Sequence, residues 1–218
     1  MIEKEIVEKN YAQFIELLTT NIKREGIENL LKWLQTTDAK IAPASTQYHL
    51  CCEGGLIQHV LNVYNRLKKL IDLQWPKWVP DEFGEMKTSN ISCPYSDETI
   101  ALVALLHDIS KINYYEIQYR NTKDADGVWV KVPYYGVRAP KNRLVYGSHS
   151  MNSVFMASTF FKLSKEEAAA ILHHEACFGY NDDKFDSKTV MPVYKAYPLA
   201  LLLHQADLQA TCLDEEEG

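Results

Sequence analysis

The stretch that decides the fold is residues 54–73, GGLIQHVLNVYNRLKKLIDL. Its apolar residues recur at intervals of three and four, which is typical of a helix with one buried face. The pattern predicts an amphipathic helix from Leu56 to about Leu73. His59 lies inside this helix, two residues after Ile57 and next to Val60. A histidine in such a position needs a polar partner, so His59 is the first candidate for a functional residue.

A second polar site follows a very apolar run, ALVALLHD at residues 101–108. An aspartate at the end of a buried helix costs several kcal/mol unless a cation or a metal compensates it. Asp108 is in this position, directly after His107, and Lys111 follows three residues later. Lys111 is predicted either to form a salt bridge that holds Asp108 or to be a solvated side chain.

A third polar site lies near the carboxyl end, where Asp207 interrupts LLLHQADLQA at residues 201–210. Imidazole nitrogens together with carboxylate oxygens suit zinc, manganese and iron. His204 shares a helical face with Asp207, as a donor behind the ligands or as a structural residue.

The remaining pattern predicts an all-α fold with one inserted β-hairpin. Six or seven helices are expected in a single domain, residues 1–218, with N-terminal helices in 1–37, the core in 42–211 and the hairpin in 114–136. Residues 75–94 contain three prolines and are expected to be irregular. The hairpin is predicted from aromatic and β-branched runs on either side of Asp124–Gly127.

Composition limits the classes of partner. The net charge is −6 and no basic stretch stands out, which argues against long nucleic acids without excluding them. No apolar run is long enough to span a membrane, and the N-terminus does not resemble a signal peptide, so a cytoplasmic protein is expected. Five cysteines without a C-x-x-C pair indicate neither a disulfide framework nor a zinc ribbon. The acidic run Asp214–Glu217 is expected to be solvated.

The three polar motifs occur in an order that resembles a known family. GGLIQHVLNV, LLHDISK and HQADLQA are similar to the successive motifs of the HD-domain superfamily of metal-dependent phosphohydrolases. The preceding APASTQYH resembles the segment before the first ligand in HD-domain exoribonucleases and relaxase-associated HD proteins. The resemblance covers roughly residues 42–211. It implies an HD-domain helical bundle, but it does not point to a single activity.

The resemblance also implies a ligand set for one or two divalent ions, which could be Mn, Fe, Mg, Zn or Ni. His59, His107, Asp108 and Asp207 would bind the first ion, and Asp108 would bridge to a second. Two further histidines would complete a binuclear site: His149, and either His173 or His174. His174 is preferred because the residues before it resemble a core face, although surface or capping histidines remain an alternative.

The function implied is hydrolysis of a phosphate ester or anhydride, with a nucleotide as the preferred substrate and with Asp108 and Lys111 as catalytic residues. The ions would lower the pKa of a bound water and neutralise charge on the phosphate. Lys111, His49, Arg120 and Arg143 are candidates for substrate binding. The hairpin is either a flap that stacks on a base or an ordinary hairpin with aromatic pairs. The alternatives are a 3'-5' exonuclease-like enzyme, a non-catalytic nucleotide-sensing module and, remotely, an oxygenase on the same fold.

Overall fold

Eight α-helices and two antiparallel strand pairs make up the residues that the structure, a computed structural model, describes: 2–80, 84–89, 91–143, 147–175 and 187–215. The helices are α1 (Lys4–Asn21), α2 (Ile27–Leu34), α3 (Gly55–Gln74), α4 (Asp97–Leu106), α5 (His149–Phe160), α6 (Lys165–Leu172), α7 (Ser187–Ala196) and α8 (Pro198–Gln209). The strands are β1 (Trp78–Pro80), β2 (Met86–Thr88), β3 (Tyr115–Lys123) and β4 (Trp129–Val137).

The prediction of an all-α fold with a single inserted hairpin is wrong. A second two-stranded sheet, β1 with β2, lies in residues 75–94, which were expected to be irregular. Its strands have three residues each and are mostly exposed, so they carry no buried alternation that a sequence pattern could reveal. The fold is therefore mixed, with helices forming most of it.

Helix α7 was not predicted either, and the eight helices of the described residues exceed the six or seven expected. This helix has Pro192 in its interior, a residue that usually ends or kinks a helix. Among the described helices, none has the length and apolarity needed to cross a bilayer.

The predicted β-hairpin is confirmed with bounds shifted by one residue. Strands β3 and β4 pair in register from Tyr115 opposite Val137 to Lys123 opposite Trp129. Gly127 closes the turn at a φ of +78°, a conformation that favours glycine. Its amide donates to the Asp124 carbonyl at 3.1 Å.

Helix α4 lies at the centre of the core. Every residue from Ile100 to Leu106 is buried, as expected for a helix that is apolar on all sides. Ser96 caps its first turn by accepting from the amide of Thr99. Helices α1, α3 and α6 pack around it, and α8 packs against α3 and α6. The ends of α4 and α8 thereby meet the first turns of α3, and the end of α6 lies next to the end of α4.

The double glycine fixes a loop against the start of α3. A Cβ atom at Gly55 would lie 2.1 Å from the carbonyl oxygen of Leu50, so only glycine allows this approach. The amide of Leu56 donates to the carbonyl of Ala42 at 2.9 Å, which holds the loop from its other end. This arrangement brings His49 next to His59, with ring centroids 4.9 Å apart.

An ion pair joins α6 to the segment after α1. The carboxylate of Glu167 is 2% exposed and accepts from both terminal nitrogens of Arg24, at 2.9 and 3.0 Å. Glu167 also forms a capping box with Ser164. Burial raises the pKa of Glu167, but hydrogen bonds from Arg24 and from the Ser164 amide outweigh it and lower the pKa below its ordinary value.

Replacing Glu167 with Gln should therefore lower the free energy of unfolding by about 2 kcal/mol, because the half-buried Arg24 loses its charged partner. The lowered pKa means that this contribution is complete above pH 4.5 and is lost as pH falls through the folded-state value. Urea unfolding at pH 7 and pH 3 measures both effects. Glu8→Gln is the control, since Glu8 pairs with Lys40 on the surface and should change stability by less than about 1 kcal/mol. Equal losses in the two variants would contradict the assignment.

Candidate metal centre

Six predicted ligand residues from separate parts of the chain meet in one cluster. His59, His107, Asp108 and His174 are no more than 2% exposed. The side chains of His149 and Asp207 are 24% and 18% exposed, so the cluster opens to solvent on their side.

Two of the histidines are each oriented by a hydrogen bond to a backbone carbonyl of the preceding helix. His107 and His174 each follow the end of a helix, α4 and α6 respectively. The Nδ1 atom of His107 lies 2.8 Å from the carbonyl oxygen of Ala104, and that of His174 lies 2.7 Å from the carbonyl oxygen of Ile171. A carbonyl only accepts, so Nδ1 carries the proton in both rings and Nε2 presents its lone pair to the cluster.

His149 occupies the first turn of α5 and is oriented from both sides. Its Nδ1 atom lies 3.3 Å from a carboxylate oxygen of Glu175. Its backbone carbonyl accepts from the hydroxyl of Ser110 at 2.8 Å, which ties α5 to the turn after Asp108. The Nε2 atom of His149 lies 3.2 Å from that of His174. Two nitrogens that each lack a proton cannot bond to each other, so this pair requires a proton or a cation between them.

His59 projects from α3 between two carboxylates. Its Nδ1 atom lies 3.0 Å from Oε1 of Glu215, and its Nε2 atom lies 3.2 Å from Oδ1 of Asp207. The Nε2 atom of His107 is 3.3 Å away from the same Nε2. Burial opposes protonation of His59, but hydrogen bonds with Asp207 and Glu215 raise its pKa to about 10. A metal ion that took Nε2 would displace this proton.

Asp108 lies at the centre and connects two histidine pairs. Its Oδ2 atom is 3.5 Å from Nε2 of both His59 and His107. Its Oδ1 atom is 3.3 Å from Nε2 of His149 and 3.7 Å from Nε2 of His174. Among the described residues, Oδ1 is buried without a hydrogen-bond partner of acceptable geometry. Each oxygen therefore faces one pair.

The groups of the cluster shift one another's pKa values. Burial raises the pKa of Asp108, but Lys111 and His107 outweigh it and hold that pKa well below its usual range. Burial and the neighbouring His107 lower the pKa of His174 to about 3. The carboxylate is thus ionised and His174 neutral, which are the states in which both bind metals.

The donor set fits a divalent metal ion. Three triads of the cluster have ligand atoms within 4.8 Å of one another: His59–His107–Asp108, His107–His174–Asp207 and Asp108–His149–His174. The partnerless Oδ1 of Asp108 and the facing Nε2 atoms are the features that a cation would satisfy. The arrangement could hold a metal ion, and nothing in it identifies which one.

The other candidates lie in different places. The ammonium of Lys111 is 2.7 Å from Oδ2 of Asp108, which is the predicted salt bridge. His49 borders the cluster, and burial, with the nearby His59 and Lys111, lowers its pKa to about 4. Arg120 lies over the ring of Tyr134 on the hairpin, and Arg143 lies over the ring of Tyr114. Their roles in substrate binding remain predictions.

Two further histidines belong to the surroundings of the site. The Nδ1 atom of His204 lies 2.6 Å from the carbonyl oxygen of His174, which supports that ligand from behind. His173 is buried, but the groups of described residues that could hold a metal ion include His174 and not His173.

Sequence reasoning missed Glu175 and Glu215. The acidic run was expected to be solvated, yet the side chain of Glu215 has no exposed surface and Asp214 pairs with Arg66. Glu216 and Glu217 lie outside the described residues. Glu175 could have been noticed, because it is an acidic residue directly after the candidate ligand His174. Glu215 left no signal in the sequence, because its partner His59 is 156 residues away.

Comparisons of the chain with protein-family models, with curated proteins and with solved structures gave no match. The geometry of the cluster is therefore the basis for any statement about function.

Replacing Asp207 with Asn should weaken metal binding at least about tenfold, roughly 1.4 kcal/mol, because a charged oxygen next to His59 is lost. Titration calorimetry with Mn²⁺ or Zn²⁺ measures the affinity, and circular dichroism checks the fold. Gln205→Ala is the control, since this residue is exposed on the same helix. Parent-like affinity in the Asp207 variant would remove Asp207 from the ligand set.

Proposed function

We propose that this chain is a metal-dependent phosphohydrolase of the HD-domain type that hydrolyses a phosphate ester or anhydride, preferably of a nucleotide. The observation that carries the proposal is the position of Asp108, whose two oxygens each face a pair of histidine Nε2 atoms. A carboxylate between two sets of nitrogen ligands suits two ions that share one bridging residue. The motif order His, His-Asp, Asp supports the same assignment by resemblance.

When bound, the ions would lower the pKa of a water molecule and neutralise charge on a phosphoryl group. The residues of the chain then have separate tasks. Lys111 keeps Asp108 ionised and fixes its orientation through a 2.7 Å contact. His149 and Asp207, the most exposed of the six ligand candidates, flank the side from which a phosphate could approach. Lys111 is the candidate for contacting that phosphate, since its side chain remains 11% exposed.

The base of the hairpin borders the same site. Burial raises the pKa of Tyr115, while the nearby ammonium of Lys111 opposes this rise. Tyr115 starts β3, so the hairpin extends outward from the metal cluster. A hairpin in this position supports the flap interpretation, in which its side chains hold the part of the substrate away from the phosphate.

A nuclease is the second candidate, favoured by one face of this hairpin. The register places Tyr119, Lys123, Trp129 and Lys131 on the same face as Tyr115. Tyr119 and Trp129 are 66% and 67% exposed, and the ammonium of Lys123 lies 5.4 Å from the Trp129 ring. Exposed aromatic rings with neighbouring cations are typical of surfaces on which single-stranded bases stack.

Metal stoichiometry tests the binuclear arrangement. The parent protein loaded with Mn²⁺ should contain close to two ions per chain, and His149→Ala should contain close to one, because the pair on Oδ1 of Asp108 is then incomplete. Elemental analysis after gel filtration gives the ratio, with Gln205→Ala as the control. One ion per chain in the parent would exclude the binuclear site, and two in His149→Ala would exclude His149 as a ligand.

Substrate class is tested by phosphate release from a panel of nucleotides with added Mn²⁺, beside cleavage of labelled single-stranded oligonucleotides. We expect turnover of a nucleotide, and its loss by at least about a hundredfold in Asp207→Asn. Salt-sensitive cleavage of oligonucleotides that weakens in Trp129→Ala would instead favour the nuclease. Metal binding without turnover of either class would contradict both enzymes and leave the nucleotide-sensing module.

A further inference from the structure

The segment after α8 closes onto α3 and buries an acidic residue there. Residues Ala210–Asp214 form a π-helical turn, and Glu215 follows it. An α-helix would have rotated Glu215 about 80° away from the face of Asp207, since eight residues turn by roughly 100° each. The wider turn changes that direction, and the carboxylate of Glu215 lies beside His59 with no exposed surface.

Among the described residues, the hydrogen bonds of this carboxylate involve the side of α3 that carries His59. Its oxygens lie 3.0 and 3.2 Å from Nδ1 of His59. The side-chain nitrogen Nδ2 of Asn62, one turn further along α3, donates to Oε1 at 3.0 Å. Another turn on, Arg66 pairs with Asp214 at the surface. One side of α3 thus carries His59, Asn62 and Arg66, which contact the carboxylates of Glu215 and Asp214.

The contact determines which nitrogen of His59 is available. A carboxylate accepts a hydrogen bond, so the Nδ1 atom of His59 carries the proton. The lone pair of a neutral ring is then on Nε2, which points at Asp108 and Asp207. His107 and His174 obtain the same result from backbone carbonyls of their own helices. His59 is the fifth residue of α3, where the nearby carbonyls are engaged in the helix itself, so its acceptor has to come from another segment.

We propose that Glu215 is a positioning residue that fixes the ring and the tautomer of His59, so that Nε2 is presented to the metal ion. This inference rests on the proposed function of the cluster. Carboxylates behind ligating histidines typically affect metal affinity 10- to 100-fold.

A direct ligand role for Glu215 is the competing interpretation. His49, His59 and Glu215 could themselves surround an ion, and Nε2 of His49 lies 3.8 Å from Oε2 of Glu215. Such an ion would need a lone pair on Nδ1 of His59, the atom that both oxygens of Glu215 approach at hydrogen-bond distance. The geometry favours the hydrogen bond over the ion at this place.

The test compares Glu215→Ala and Glu215→Gln with the parent chain, using Zn²⁺ as the probe. Zinc affinity comes from competition with a chelator, and nitrogen-15 spectra of the zinc-loaded protein report the tautomer of His59. We expect Glu215→Ala to bind zinc about 10- to 100-fold more weakly and to lose the single tautomer. Glu215→Gln keeps an acceptor oxygen and should fall between Glu215→Ala and the parent. It also serves if the alanine variant does not fold.

Asp214→Asn is the matched control, because it removes a carboxylate from the same segment but only a surface ion pair, with side chains 31% and 23% exposed. Its zinc affinity should stay within about twofold of the parent. If Glu215→Ala keeps the parent's zinc affinity and the single His59 tautomer, this inference is overturned while the proposed function stands. Loss of a whole ion per chain would overturn it in favour of the ligand role. Failure of the parent to bind zinc would overturn the proposed function together with it.

Discussion

The buried carboxylate of Asp108 is the constraint on which the rest of the structure depends. An ionised group that is 2% exposed is tolerated only with cations and hydrogen bonds around it. Lys111 supplies the one permanent positive charge within reach in the described residues. His59, whose pKa is raised to about 10, adds a second positive charge. The other histidines, from α5 and the ends of α4 and α6, present lone pairs to the cluster, and a metal ion bound by them would supply the remaining compensation. The packing that brings these helices together thus also determines the composition of the cluster.

Helix ends are where this fold can meet that requirement. The last carbonyls of a helix lack intrahelical partners, and His107 and His174 use them to fix Nδ1. Each ring then serves the backbone on one side and the cluster on the other. His59 departs from this scheme because it lies within α3, and its acceptor is supplied by Glu215 from the far end of the chain. Two rings of the site are thus oriented by a carbonyl three residues earlier in the chain. The ring of His59 is oriented only when the segment after α8 packs against α3.

This difference explains how far the sequence could predict the structure. Polar residues in apolar helices mark His59, Asp108 and Asp207, because such residues need partners wherever they are buried. The β3–β4 hairpin was predictable from its long aromatic and β-branched strands. Strands of three exposed residues carry no such pattern, so β1 and β2 were missed.

Glu215 could not be assigned for a different reason. An acidic residue in an acidic run is normally solvated, and only the π-helical turn after α8 directs this one inward. A π turn inside an apparent helix leaves no periodicity to detect, since it changes the direction of later residues without changing their composition. The pairing with Asn62 and His59 adds a long-range contact that no local window contains. The residues of the cluster were thus predictable, whereas Glu215 behind His59 was not.

The charge of the cluster depends on the number of metal ions that it holds. Four carboxylates, those of Asp108, Glu175, Asp207 and Glu215, lie around the histidines, against a single ammonium from Lys111 in the described residues. Asp207 and Glu215 raise the pKa of His59, which holds a proton there without a metal ion. With all four carboxylates ionised the excess is three negative charges, so one divalent cation would leave the centre negative. A second would leave a net positive centre, to which a phosphate would be attracted at the open side near His149 and Asp207. The number of bound ions would therefore set the sign of this charge.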